Sequence, residues 1–149
     1  MNDTTHDHSL LDIAGRVDAM VHDELRRSED PFTLENARLY GLDESGDVRL
    51  VGEGRDPYEM MLAFEPPTDA IAAVVVVTGW AAPHEENGQP AGRPSEHPKA
   101  ERIRLVVAVG DTGLAAVMRK KSQPELLITM DERGVGDLPE ALESWWTLA

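Results

Sequence analysis

The chain reads as a single-domain α+β protein, an antiparallel sheet of five or six strands carrying about three helices. Three observations predict this. Apolar residues recur at helical spacing near the N-terminus and again near the C-terminus. Between them lie several short β-branched or alternating runs bounded by turn formers. The links between most of those runs are short, which favours hairpins over crossover connections. A length of 149 residues fits one domain, and a domain of that size buries roughly 70% of its unfolded surface.

Taken in order, residues 1–8 form a polar tail, expected to be mobile, and the domain occupies residues 9–149. Ser9 with Asp12 reads as a capping box opening a helix. Leu10, Ile13, Ala14, Val17, Met20, Val21 and Leu25 follow as one apolar stripe. Glu24 intrudes on that stripe, so fraying is expected there. "ARLYGLDESGDVRLVGE" reads as a hairpin around Asp43-Glu44-Ser45-Gly46. "DPYEMMLAFEPP" is a short helix capped by Asp56, with Pro57 in its first turn and Pro66-Pro67 stopping it. "AIAAVVVVTGWA" is continuously apolar and β-branched, as befits a central strand covered on both faces. A proline-rich loop over 83–98 leads to "RIRLVVAVGDTGLAAVMRKK", two runs around the strong turn Gly110-Asp111-Thr112-Gly113. "ELLITM" is a further strand. Asp137 caps a last helix, with Pro139 in its first turn and Leu138, Ala141, Leu142, Trp145 and Ala149 on one face.

Composition excludes several functions. With 28 acids against 14 bases, the net charge of −14 opposes nucleic acid and anionic membranes alike. The chain has no cysteine, so disulfides and cysteine-ligated zinc play no part. No apolar stretch reaches the length of a membrane span, and the N-terminus is unlike a signal peptide. A cytoplasmic protein is expected.

The second hairpin carries the one site candidate. Its turn sets Val109 opposite Leu114, Val107 opposite Ala116 and Leu105 opposite Met118, one apolar face. On the other face Ala108 meets Ala115, Val106 meets Val117, Arg104 meets Arg119 and Arg102 meets Lys121. Like charges directly opposite are destabilising, so something must offset them. Either the protein's own acids do so, or Arg102, Arg104, Arg119 and Lys121, with Lys99, await an anion that arginine would grip in a bidentate fork. Trp80, His84 and His97 would then form the loop or rim of that site.

Other motifs carry less. His84, Glu85, Glu86 and His97 offer nitrogen and oxygen ligands, but at a spacing that fits no compact metal pair. No metal or cofactor is expected. "GEGRDP" and "GVGD" each precede a helix as a phosphate loop would, yet both hold acids that repel phosphate. Turn geometry explains them better. Trp145 is core, whereas Trp146 lies at the helix edge, where it either packs or offers a contact point for a partner.

The order of elements resembles that of profilin-like, GAF-like and roadblock-like domains, which implies a fold and no activity. From the central strand onward, "GWAAP", the "HP" before a basic strand and the terminal "LPEALESWW" resemble an uncharacterised family of small proteins from high-GC Gram-positive bacteria. That resemblance carries over no site residue. The reading is therefore of an acidic cytoplasmic binding or regulatory module, leaning away from an enzyme. The alternative is a sensor of an anionic small molecule on the basic hairpin face.

Overall fold

The computed structural model describes residues 9–28, 32–81, 101–130 and 138–147. Among them the order is α1 (Leu10–Leu25), β1 (Ala37–Asp43), β2 (Val48–Gly54), α2 (Pro57–Ala63), β3 (Ala70–Ala81), β4 (Glu101–Gly110), β5 (Gly113–Lys120), β6 (Gln123–Met130) and α3 (Leu138–Thr147). The fold is α+β. All six strands join one antiparallel sheet in the order β2-β1-β3-β4-β5-β6. The expected tail, the 83–98 loop, the "GVGD" turn and the Asp137 cap lie outside the described residues.

Helices cover both faces. The even-numbered side chains of β3 and β4, including Val74, Val76, Val106 and Ala108, pack under α1. Their odd-numbered neighbours, including Val75, Val107 and Val109, pack under α2 and α3. Burial on two sides is why β3 is apolar at every position from Ala70 to Val77.

Local chemistry places α1 firmly. Ser9 Oγ accepts from the Asp12 N–H at 3.1 Å, satisfying one of the orphan donors of the first turn. The helix runs one residue past Glu24, to Leu25, and the Arg26 N–H closes it on the His22 carbonyl at 2.9 Å. Glu24 does not enter the core. Its two carboxylate oxygens accept from Arg38 of β1 at 3.0 and 2.7 Å, a fork that ties the end of the helix to the sheet.

The glycines of "GEGRDP" have a packing purpose. A Cβ on Gly52 would meet the Phe64 ring far inside van der Waals separation. One on Gly54 would lie 3.0–3.2 Å from Met60 backbone and side-chain atoms. Bare backbone here lets α2 and the residue after it lie flat on β2. Asp56 Oδ1 caps α2 through the Glu59 N–H at 2.8 Å, as its position before Pro57 requires. In α3, Trp145 is buried and its Nε1–H donates to the Phe64 carbonyl at 2.9 Å, so α3 locks onto the end of α2. Among the described residues no helix is long and apolar enough to cross a membrane.

Candidate functional site

The hairpin register is the one the turn dictates, with Val109 on Leu114, Val107 on Ala116, Leu105 on Met118 and Arg104 on Arg119. The first three pairs face α2 and α3. Arg104 and Arg119 therefore point toward α1, side by side, in a region that excludes water. Arg104 is fully buried and Arg119 is 8% exposed.

Asp18 resolves the repulsion. It projects from the middle of α1 and is itself fully buried. Its Oδ1 accepts from Arg104 Nε at 2.8 Å, and its Oδ2 accepts from Arg119 Nε at 2.9 Å and Nη2 at 2.6 Å. Arg119 Nη1 donates on to the Pro124 carbonyl at 2.6 Å, reaching the edge strand β6. Arg104 Nη2 lies 2.8 Å from His22 Nδ1. A guanidinium can only donate, so Nδ1 accepts and the ring carries its proton on Nε2. Burial, followed by the charges of Arg119 and Arg104, holds His22 below its usual 6.5, against the opposing pull of Asp18. The Arg104 guanidinium also stacks over Phe32, 5.3 Å from the ring centroid.

Arg102 sits one step further out on the same face and lives differently. It pairs with Trp80 of β3, and its carbonyl accepts from the Lys121 N–H at 3.0 Å. Its Nη2 donates toward the Phe32 carbonyl at 3.3 Å, Thr33 Oγ1 at 3.1 Å and Thr78 Oγ1 at 3.3 Å. The guanidinium stacks on the Trp80 indole, 5.2 Å from its centroid, and that indole remains 45% exposed. Arg102 Nε is buried without an acceptor. No carboxylate pairs with Arg102 among the described residues.

The bases expected to act together are thus divided. Arg104 and Arg119 face inward onto Asp18. Arg102 and the exposed Lys121 are at the open end. Lys99, His84 and His97 lie outside the described residues. Trp80 stands where a rim would. Trp146 is elsewhere, half-buried over the α2/α3 core at the other end of the hairpin, its Nε1–H donating to Asp111 Oδ1 at 3.0 Å. No group of three or more His, Asp or Glu among the described residues is placed to hold a metal ion.

Sequence reasoning missed Asp18, His22, Phe32, Thr33 and Thr78. Asp18 did carry a signal. It follows Val17 and stands four residues after Ala14, an acid inside the apolar stripe, where only a buried cation could accommodate it. Phe32 and Thr33 had none, since only the tertiary fold brings that segment over β3. Comparison with known protein families, curated proteins and solved structures returns no match.

Proposed function

We propose that the protein is a non-catalytic binding or regulatory module whose Trp80–Arg102 ledge meets its partner. The observation carrying this reading is the exposed indole of Trp80, stacked beneath a guanidinium that has no carboxylate among the described residues. Tryptophan and arginine are enriched among the few residues that dominate binding energy. Stacking and strand register already fix both side chains, so little rotamer entropy remains to be lost on association. Behind them the Asp18 triad makes a rigid backing. A net charge of −14 turns the choice away from nucleic acid and toward a protein or a small molecule. The reading includes a cytoplasmic setting.

Co-purification from native lysate tests it. The native chain is expected to retain a stoichiometric partner and Trp80→Ala to lose it, while the variant's thermal unfolding stays close to native. Recovery of the same partner in the same amount by Trp80→Ala refutes the assignment of the ledge.

A further inference from the structure

Building on the ledge as the binding surface, the geometry points to a carboxylate on a flat apolar body as the group it recognises: the charge against Arg102, the body on Trp80. The protein has 28 acids, yet none of the described ones pairs with this guanidinium. A half-buried cation without a counter-ion gains more from an anion than a solvated one does, because the desolvation cost has already been met in folding.

The guanidinium is also held in place. Three oxygens, from Phe32, Thr33 and Thr78, converge on Nη2 alone. That nitrogen has two hydrogens, so its donor capacity is saturated and the plane is fixed. Nη1 finds no acceptor among the described residues. A carboxylate oxygen seated on Nη1 makes a charge-assisted bond, and the exposed indole lies alongside to take the apolar part.

Charge selects carboxylate over phosphate. The neighbouring guanidiniums of Arg104 and Arg119 are bound to Asp18, which leaves Arg102 as the one fixed positive charge at the ledge among the described residues. Lys121 is exposed and solvated, and contributes little there. The field of a chain at −14 opposes a dianion about twice as strongly as a monoanion. One guanidinium on one negative charge is the balanced arrangement. The carboxylate could belong to a free aromatic acid or to the C-terminus of a chain ending in an aromatic residue.

The test titrates the full chain with benzoate, benzamide and benzylphosphonate, at a pH above the phosphonate's second ionisation so that it is a dianion. It follows the indole Nε1–H resonance of Trp80 and the Nε–H resonance of Arg102. Benzoate is expected to shift both at millimolar concentration, with benzamide and benzylphosphonate each about tenfold weaker or more. Arg102→Lys keeps a charge but loses the planar group that Phe32, Thr33 and Thr78 hold in place while Nη1 faces the ligand, and should weaken benzoate by about tenfold. Benzamide matching benzoate, or phosphonate exceeding it, overturns the proposal without recourse to any variant. A short peptide ending in Phe, as free acid and as amide, separates the sources. A free acid bound about tenfold tighter than benzoate assigns a chain end, and equal affinity assigns a small molecule. If no carboxylate shifts Trp80 while Trp80→Ala still loses its partner, this proposal falls and the ledge stands. If the partner is also retained, both fall.

Discussion

Replacing Asp18 by Asn removes one negative charge and changes almost nothing in shape. The carboxylate now takes three hydrogen bonds from two guanidiniums. An amide offers a single acceptor oxygen and turns its NH2 toward donors that cannot accept. Arg104, fully buried, and Arg119, at 8% exposure, would then face each other across β4 and β5 with their common counter-ion gone. Breaking a buried pair by removing one partner costs about 3–5 kcal/mol, because a desolvated charge is left behind. For a domain of about this size each kcal/mol lowers Tm by about 2–4 °C, so a fall of about 6–20 °C is expected. Urea unfolding followed by circular dichroism gives the free energy, and calorimetry the Tm. Asp69→Asn is the control. It breaks the Arg49–Asp69 pair, both of whose side chains are 56% exposed, where solvent screening holds the loss to about 0–1 kcal/mol. Substituting all three members by apolar residues, Asp18→Leu with Arg104→Met and Arg119→Met, should recover most of the loss, since no charge then remains buried. A cost for Asp18→Asn no larger than that for Asp69→Asn would refute the triad as the device that holds α1 on the hairpin.

Gly52→Ala places a methyl group against the Phe64 ring and should cost about 1–3 kcal/mol in urea unfolding; Phe64→Leu in the same chain should relieve part of it. Ser9→Ala removes the acceptor for the Asp12 N–H and should cost about 1 kcal/mol, read in the same way. His22 is held below 6.5 in the folded state, so the unfolded chain takes up its proton first. Its contribution is therefore complete above 6.5 and is lost as pH falls from there through the lower folded value. Glu24, lowered from 4.5 chiefly by the Arg38 hydrogen bond, extends the loss below 4.5. A pH series of urea midpoints should show both arms, and His22→Gln should flatten the upper one. An unchanged upper arm would locate the acid sensitivity elsewhere.

The parts of this fold legible in the sequence are those set by local rules. Gly110 to Gly113 fixed a hairpin whose register put Arg104 on Arg119, because pairing across a tight turn leaves no freedom. Pro57 after Asp56 located the start of α2 to the residue, though the helix ends at Ala63, ahead of the Pro66-Pro67 stop. The continuous apolar run of β3 announced a strand covered twice. The contents of the site were legible only in part. Two opposed arginines on one face required a counter-ion, yet nothing in their own strands identified it, since Asp18 lies 86 residues before Arg104. The segment at Phe32 and Thr33 was still less accessible, as its position over β3 follows from how α1 connects to β1. Trp80, by contrast, was marked out by its place at the end of the central strand.

The Asp18 clasp also bears on the order in which the protein can fold. A β4–β5 hairpin forming alone would hold the guanidiniums of Arg104 and Arg119 side by side in water, where solvent screens them; they lose that screening only when α1 covers them. An isolated α1 would have to carry a carboxylate into its own apolar face. Each of the three charges leaves water at least cost in company with the others, so the burial of the last rungs of the hairpin and the seating of the helix become a single cooperative event. Loosening of α1 would be felt in turn at the neighbouring rung, where Arg102 holds the indole of Trp80.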